Sequence, residues 1–371
     1  MDRETATDPE RLADTIRTTG ITVMQATPSM WRMLLDAGWR GSRRLRALTG
    51  GEALPRELAI RLKERCPRLR NVYGPTETTC WSTSGAVSEG DEAVTIGRPI
   101  ANTQVYVLDR GLRPQATGVP GRLFIGGHGV ARGYLRRPSL TASRFVPDPF
   151  GSEPGARMYD TGDRARWLPD GTIDFLGRAD DQIKVRGFRI ELGEIEATLV
   201  QYPGVRQAVV VAQEYAAGDV RLVASLVCEP DGVPAWSDVR RFLQSKLPDY
   251  MVPAGFAVLD ALPVTHNGKI NRRALARLAR VEPTTDEVYE EPRTPLERQV
   301  AAIWSDVLHV PRVGLRDSFY ALGGHSLLAM QIVSRVRARL APGLPLSALL
   351  EGPTIAQFAS AIERLSPQAA D

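Results

Sequence analysis

The sequence predicts an α/β protein with a β-barrel-like unit, a small α+β subdomain and an all-α, four-helix-type bundle. Three observations predict this fold class. Strand and helix patterns alternate near the start of the chain, short strands between Gly/Pro turns follow up to about Gly177, and apolar stripes at helical spacing occupy the chain after Thr294. These patterns are typical of a parallel sheet, a barrel and a helical bundle respectively.

The α/β layer is predicted from short apolar strands at Ile21–Gln25, Leu45–Leu48 and Leu69–Tyr73, with a helix over Pro28–Leu35. Layers of this kind bind ligands at the carboxyl ends of their strands. From about Val94 to Gly177 the pattern changes to short strands and turns, of which TQVYVLD and GRLFIGG are the clearest strands. This stretch predicts the barrel-like unit.

The small α+β subdomain is predicted over Ala179–Arg280. A helix near Gly193–Gln201 is followed by strands at Val205–Gln213 and Val220–Cys228, and then by a helix at Ser237–Leu247. The next segment, EPTTDEVYEEPRTP, is acidic, contains prolines and has no periodicity. We interpret it as a linker.

The helical bundle is predicted to begin with a capping box at Thr294–Glu297, which has proline at the first helical position. Two further helices are predicted from Ser326 and from Thr354. The predicted domain boundaries are 1–178 for the α/β and barrel-like part, 179–280 for the small subdomain, 281–293 for the linker and 294–366 for the bundle.

The composition of the 371 residues is that of an ordinary globular protein, with 43% hydrophobic residues, 24% charged residues and a net charge of +4. No basic block with interleaved aromatic residues suggests a nucleic-acid partner, so the charges are interpreted as a solvated surface. Cys66, Cys80 and Cys228 are an odd number of cysteines at wide spacing, which fits neither a disulfide framework nor a zinc site and predicts reduced thiols. A polar N-terminal segment and short apolar runs predict a cytoplasmic protein without a signal peptide or membrane contact.

The segment LGGHSLL, Leu322–Leu328, places Ser326 directly after a Gly-Gly turn at the predicted start of a helix. A helix N-terminus favours a nearby phosphate group. Geometry alone favours the plainer interpretation that Ser326 is an N-cap residue. A hydrolase that pairs His325 with Ser326 is disfavoured, because adjacent residues at a helix start do not make the necessary hydrogen bond.

The longer string DSFYALGGHSLL, Asp317–Leu328, lies inside the predicted bundle and resembles the attachment motif of peptidyl carrier domains. The resemblance implies that Ser326 carries a 4′-phosphopantetheine arm through a phosphodiester. A separate phosphopantetheinyl transferase would install the arm, so no catalytic base is needed beside the serine.

Further strings resemble the adenylation domains of nonribosomal peptide synthetases, in that family's order. In NVYGPTETT, Asn71–Thr79, the resemblance implies that Glu77 helps to hold Mg²⁺ and that Tyr73 and Thr76 line the adenylate and the phosphates. In YDTGDR, Asp163 would bind the ribose hydroxyls, which suits a carboxylate because it can accept from both. A generic turn is the ordinary alternative for each string taken alone.

Other matches extend this implied nucleotide site. Phe175, in DGTIDFLGR, would stack on adenine, although a lone aromatic residue is more often part of a core. In GRADDQIKVRGFRIELGEIE, Arg178 matches an arginine that contacts ribose and phosphate, and Asp180 matches the hinge about which the small lid subdomain turns. The segment beside adenine matches TGGEALP at Gly51, Glu52 and Ala53.

Lys269, in NGKINRR, matches the lysine that bridges the substrate carboxylate and the ATP phosphates. An ammonium group there would offset the repulsion between two anions in the transition state. Three positions depart from the family pattern. Asn271 replaces an acidic residue, Arg122 stands where glutamate is common, and Asp160 replaces a basic residue.

The same resemblance places part of an amino-acid pocket. Trp81 would fill the bottom of this pocket and leave room for little side chain. The pattern looks like that of glycine-activating domains, with alanine or another small residue as the alternative. The pocket positions are Gln25, Leu48, Gly50, Val72, Cys80 and Trp81, together with Lys269.

The resemblances imply part of a synthetase module that activates an amino acid as aminoacyl-AMP and loads it as a thioester on the carrier, with ATP, Mg²⁺ and 4′-phosphopantetheine as cofactors. Two alternatives stay open: an adenylation-incompetent chain that acts only as an acyl or peptidyl carrier, and an enzyme resembling acyl-CoA ligases. The fused carrier argues against the second, since such ligases use soluble coenzyme A.

The sequence contains no Ser/Thr/Gly-rich phosphate loop that ends in Pro-Lys-Gly, and no aspartate for the substrate's amino group. We therefore expect a missing N-terminal adenylation half, no activation of amino acids by the isolated chain, and uncovered apolar surface near Ile21–Leu35. The expected partners are the amino acid, the transferase, the missing half and neighbouring condensation and thioesterase domains.

Overall fold

The computed structural model describes residues 5–6, 8–88, 93–179, 182–185, 187–216, 219–229, 234–266, 269–278 and 289–365, with the backbone alone at 216 and 326. The chain divides into two compact units. One consists of Ile16–Arg189, and the other consists of Ile190–Asp371 together with Met1–Thr15.

A five-stranded sheet opens the Ile16–Arg189 unit. Its first three strands are parallel, and the last two run antiparallel to their neighbours. The order is β1-β2-β3-β4-β5, which confirms the predicted α/β layer. The strands are β1 (Val23–Ala26), β2 (Arg46–Thr49), β3 (Arg68–Tyr73), β4 (Thr83–Ala86) and β5 (Arg98–Pro99). The chain's first long helix, α1 (Pro9–Thr19), belongs to the other unit as far as Thr15, and the helices of this unit are α2 (Pro28–Asp36) and α3 (Arg56–Arg65).

The apolar surface expected near Ile21–Leu35 is only partly uncovered. Val23, on the outermost strand β1 of this sheet, is 53% exposed. On α2, by contrast, the Trp31 and Leu34 side chains are fully buried, and the Trp31 indole donates to the Leu48 carbonyl over 3.2 Å. The expectation is therefore met on the strand and is wrong for the helix, whose Trp31, Met33 and Leu34 side chains are buried within the unit.

A second, antiparallel sheet follows in the same unit and forms a half-barrel, as predicted. Its order is β10-β9-β7-β6, with β8 paired to β9. Tyr73 from the first sheet packs in one apolar cluster with Val105, Leu123 and Ile173 from the second, so the two sheets share a core. The elements are β6 (Thr103–Leu108), β7 (Gly121–Gly127), α4 (Pro138–Arg144), β8 (Phe145–Pro147), β9 (Arg157–Trp167) and β10 (Ile173–Arg178).

Two of the three departures from the family pattern form a pair in this sheet. The Arg122 guanidinium, on β7, donates to the Asp160 carboxylate, on the neighbouring strand β9. Where the family commonly has an acidic residue on one strand and a basic residue on the other, this chain has the reverse. The two substitutions therefore compensate each other electrostatically.

The small subdomain is built on a three-stranded sheet of order β13-β14-β15, preceded by the two-stranded pair β11-β12. Glu196 joins three of its elements, because its carboxylate accepts from the Val210 backbone over 2.8 Å and from Arg272 over 2.6 Å. The pair consists of β11 (Gln182–Val185) and β12 (Phe188–Glu191), which belong to the Ile16–Arg189 unit as far as Arg189. The elements that follow are α5 (Leu192–Leu199), β13 (Val205–Ala216), β14 (Asp219–Cys228), α6 (Trp236–Gln244), β15 (Gly255–Val258) and α7 (Arg272–Leu278).

The helical bundle contains α8 (Pro295–Leu308), α9 (Ser326–Arg339), α10 (Ser347–Glu351) and α11 (Ile355–Leu365). The predicted capping box is present, with both the Thr294 and Glu297 side chains bonded to backbone N–H groups. Trp304 lies at the centre of the core, 5.5 Å from the Phe319 ring and 6.1 Å from the Phe358 ring between centroids. Among the described residues, every helix is too short or too polar to cross a bilayer.

Candidate functional site

Tyr73, Asp163 and Arg178 meet at one carboxylate in the Ile16–Arg189 unit. The Tyr73 hydroxyl donates to one Asp163 oxygen, and the Arg178 guanidinium donates to the other over 2.9 Å. Tyr73 ends β3, whereas Asp163 and Arg178 are register partners on β9 and β10, where a bulge interrupts the pairing after Phe175. Burial and the negative charge of Asp163 raise the pKa of Tyr73 well above its usual range, so the hydroxyl stays a donor.

An aromatic surface lies beside this cluster. The Tyr73 and Phe175 rings are 5.9 Å apart between centroids, and Phe175 is half-buried. The Lys184 ammonium lies 5.5 Å from the centre of the Tyr73 ring, within reach of a cation–π contact. The sequence predicted Tyr73 and Phe175 here and missed Lys184, although Lys184 lies within the long GRADDQIKVRGFRIELGEIE string.

Glu77 is the centre of a second polar cluster in this unit. Its carboxylate accepts from the Tyr134 hydroxyl over 2.7 Å and from the Arg189 guanidinium over 2.9 Å to each oxygen. Tyr159 lies within 3.3 Å of the Tyr134 hydroxyl and 3.5 Å of Arg189. Burial alone would raise the pKa of Glu77, but the hydrogen bonds from Tyr134 and Tyr159 and the charge of Arg189 lower it, so the carboxylate is ionised at neutral pH.

Mg²⁺ commonly binds one or two carboxylates together with substrate phosphates. A single buried carboxylate at Glu77 fits that pattern. Within the part of the chain that the structure describes, no group of three or more His, Cys, Asp or Glu side chains could hold a metal ion by itself. Both Glu77 oxygens accept from Arg189, so a cation at this carboxylate would have to displace that guanidinium.

The predicted pocket residues lie close together around the carboxyl ends of β1–β3. Gln25 and Leu48 are register partners on β1 and β2. Gly50 follows β2 and packs so closely that an added Cβ would lie 2.4 Å from the Val72 carbonyl and 2.8 Å from the Trp81 ring. Only glycine fits at this position without moving its neighbours, and the Trp81 ring lies against it.

The loop between β3 and β4 is strained where the pocket is predicted. Thr79 and the exposed Cys80 have φ values of 62° and 70°, in the left-handed region that residues with side chains rarely adopt. Thr76 is exposed and begins the short 3-10 turn Thr76–Thr78 that carries Glu77. Such strain is concentrated at ligand and active sites in proteins.

The TGGEALP segment connects β2 to α3. Gly51 has a φ of 90°, which glycine adopts at little cost. The Glu52 carboxylate accepts from the Ser29 backbone over 3.0 Å and from the Ser29 hydroxyl, so it fixes this loop to the start of α2. Ala53 is exposed.

The structure does not place two of the predicted residues at these clusters. Lys269 belongs to the other unit, where it is exposed on the turn between the bridged residues Val264 and Ile270. Asp180, the predicted hinge, lies outside the described residues.

Ser326 is the first residue of α9, as predicted. The preceding turn depends on glycine at two places: Gly323 has a φ of 83°, and a Cβ on Gly324 would lie 2.4 Å from the Phe319 carbonyl. His325 occupies the N-cap position with extended backbone and makes no side-chain cap. The turn therefore places a hydroxyl residue where the N–H groups of a 14-residue helix begin, which fits a phosphodiester attached there.

Three family models match the chain in the order of its parts. An AMP-binding enzyme model matches residues 1–135, an AMP-binding enzyme C-terminal domain matches residues 194–269, and a phosphopantetheine attachment site matches residues 298–362. A dimodular nonribosomal peptide synthase of Bacillus subtilis (strain 168) is 48% identical over 362 residues, which are 97% of this chain and 15% of that protein. The chain belongs to the nonribosomal peptide synthetase family.

A second curated relative and a solved structure are also similar to this chain. Surfactin synthase subunit 3 of the same strain is 44% identical over 364 residues, 96% of this chain and 28% of that protein. The solved structure of holo-PA1221, an NRPS protein containing adenylation and PCP domains bound to a vinylsulfonamide inhibitor, is 31% identical with a TM-score of 0.77, and the match covers 96% of this chain and 61% of that one. The chain thus spans 15% and 28% of the lengths of these two curated relatives.

Some of the predicted site residues lie inside the ranges matched by the family models, and others lie outside them. Ser326 lies inside the phosphopantetheine attachment match, Lys269 is the last residue of the C-terminal-domain match, and Glu77 lies inside the AMP-binding match. Asp163 and Arg178 lie outside all three ranges. Their assignment depends on the sequence strings and on the hydrogen-bonded cluster.

Proposed function

We propose that this synthetase chain takes part in the ATP-dependent activation of an amino acid as an aminoacyl adenylate, and that its carrier bundle accepts the acyl group. The observation that carries the proposal is Ser326 at the start of α9, behind a turn that depends on Gly323 and Gly324. When attached to Ser326, 4′-phosphopantetheine supplies a thiol that can hold the acyl group as a thioester.

In the adenylating part, the Asp163 carboxylate is proposed to bind the ribose hydroxyls of ATP. Its two oxygens accept from separate donors, Tyr73 and Arg178, which hold the carboxylate in place, and each oxygen has a second lone pair that can accept from a ribose hydroxyl. Phe175 and Tyr73 offer an aromatic surface for adenine. Gly51, Glu52 and Ala53 are proposed to pass beside the bound adenine. Arg178 is proposed to contact ribose and phosphate.

Around the phosphates, Glu77 is proposed to hold Mg²⁺ once Arg189 has left it, with Thr76 lining the site. Lys269, exposed on its turn, is proposed to bridge the substrate carboxylate and the α-phosphate, where an ammonium group stabilises the charge of the transition state. The carboxylate would attack the α-phosphate and release pyrophosphate. Asp180 is proposed as the hinge that lets Lys269 approach and leave.

We propose glycine as the amino acid, with alanine or another small residue as the second choice. The close contact between Gly50 and the Trp81 ring supports a pocket with little space at its bottom. The proposed partners are a phosphopantetheinyl transferase, the adenylation part that contains the phosphate loop, and neighbouring condensation and thioesterase domains, all in the cytoplasm.

Intact-mass measurement of the purified chain tests the carrier role. After incubation with coenzyme A and a promiscuous phosphopantetheinyl transferase, the chain should gain the mass of one arm, and Ser326→Ala should gain none. Ser347→Ala is the matched control, because Ser347 is also the first residue of a bundle helix, α10, and this variant should be modified normally. Modification of Ser326→Ala, or none of the unsubstituted chain, would refute the proposal.

A further inference from the structure

A buried charge cluster joins the small subdomain to the carrier bundle within the unit that contains both. The strands β13 and β14 form a hairpin, here called the docking hairpin. At the start of β14, one oxygen of Asp219 lies 3.0 Å from the His325 imidazole Nε2, and the other accepts from Arg221 over 2.7 Å. The bonded histidine directly precedes the proposed attachment residue Ser326.

The side chains of this cluster are much more buried than those of a surface ion pair. The side chains of Arg221, His325 and Asp219 are 1%, 8% and 10% exposed. A charged side chain is rarely buried unless paired, and removing one partner of a buried pair is costly. Burial also opposes ionisation of Asp219, yet the hydrogen bonds and charges of His325 and Arg221 lower its pKa to about 2.

Further contacts extend the docking hairpin's surface to the end of α8. The Arg221 guanidinium lies 4.1 Å from the centre of the Tyr215 ring and reaches the Leu308 carbonyl at 3.4 Å. The Tyr215 hydroxyl donates to the His309 carbonyl over 3.1 Å. Arg221 also lies against the turn before Ser326, since a Cβ on Gly323 would come within 2.8 Å of its Nη1.

We propose that the docking hairpin is a specific binding site for the carrier bundle of this chain, which recognises the His325 imidazole and the carbonyls at the end of α8 and holds the turn before Ser326. The partner that fits this site is a bundle with a histidine directly before its attachment serine. A transferase that modifies Ser326 must reach the same turn, so docking and modification compete. This inference builds on the proposed attachment of phosphopantetheine to Ser326.

The competition predicts the effect of Asp219→Asn on the full-length chain. Loss of the carboxylate charge weakens docking, so the rate of phosphopantetheine transfer to Ser326 should rise at least about fivefold, as expected when a buried charged pair is disrupted. Tyr215→Phe, which removes only the hydroxyl bond to His309, should raise the rate about twofold. Glu229→Gln is the control, because it breaks an exposed 3.9 Å pair with Arg206 on the same subdomain and should change nothing.

A second measurement does not need modification of Ser326. Amide hydrogen exchange in residues 320–328 should be faster in Asp219→Asn than in the unsubstituted chain, and unchanged in Glu229→Gln. Equal transfer rates and equal exchange in Asp219→Asn and Glu229→Gln would refute the docking site. A failure to modify Ser326 in any variant would instead refute the proposed carrier role, while the exchange measurement still decides the inference.

Discussion

The Arg122–Asp160 pair lies across the neighbouring strands β7 and β9, with the Asp160 side chain 7% exposed and that of Arg122 43% exposed. The Asp160 carboxylate also accepts from the Gly162 backbone over 3.2 Å, and Arg144 lies 4.0 Å away. A buried carboxylate that loses its main cationic partner retains its desolvation cost without the compensating attraction. The partly exposed guanidinium is screened by water, which limits that cost.

Arg122→Ala should therefore lower the free energy of unfolding by about 1–2 kcal/mol. The double variant Arg122→Glu/Asp160→Arg, which restores the family's usual polarity, should recover part of this loss in urea denaturation. Arg113→Ala, which breaks an exposed pair with Asp109, is the control and should leave the midpoint unchanged. A double variant that is less stable than either single substitution would show that the two positions do not compensate.

At single positions, the sequence predicted site residues that lie within recognisable strings. It missed residues that contact those side chains only in the folded structure. The resemblance of their strings to adenylation domains predicted roles for Glu77 and Asp163, and the structure places each of them in a polar cluster. Tyr134 lies in a loop, Tyr159 on β9 and Arg189 on β12, all distant from Glu77 in the chain, and only the folded chain brings them to its carboxylate. The same holds for Asp219 and His325, which are joined by no local pattern.

At the scale of elements, periodicity predicted most helices and strands, with errors at their ends. Strand β13 continues to Ala216, past the predicted Gln213, because its pairing with β14 persists through a bulge near Glu214. The helix predicted over Ser237–Leu247 ends at Gln244. The local sequence does not determine these ends. The end of the strand depends on its pairing partner, and the end of the helix depends on the conformation of the residues that follow it.

The capping box over residues 294–297 predicted the start of helix α8, and its contribution to the stability of that helix can be measured. Its capping box satisfies backbone N–H groups at both Thr294 and Glu297. Thr294→Ala should lower the free energy of opening of α8 by about 1 kcal/mol, measured by amide hydrogen exchange in its first turn. Ser360→Ala, in an exposed position of α11, should cause no such loss. Equal exchange in the two variants would contradict a stabilising role for the cap.

Over the whole molecule, each of the two units contains a partly buried carboxylate whose pKa is lowered by its partners: Glu77 in the Ile16–Arg189 unit and Asp219 in the other. A carboxylate with a lowered pKa in the folded state binds fewer protons there than in the unfolded chain. Its stabilising contribution is complete above the unfolded pKa and disappears as the pH falls through the folded pKa. Both units should therefore lose stability on acidification through these groups.

The ordinary pKa values of the two side chains set where this loss begins, below 4.5 for Glu77 and below 3.8 for Asp219, whose folded value is about 2. At pH 3 the Asp219 contribution lost should be about 1 kcal/mol. Scanning calorimetry should show that the melting temperature of the Ile16–Arg189 unit falls less between pH 7 and pH 3 in Glu77→Gln than in the unsubstituted chain. The melting temperature of the other unit should fall less in Asp219→Asn. Asp260→Asn, at an exposed carboxylate, should behave like the unsubstituted chain. A neutral amide does not bind a proton in this pH range. If Glu77→Gln and Asp219→Asn still lose as much melting temperature on acidification as the unsubstituted chain, these two carboxylates do not cause the loss of stability.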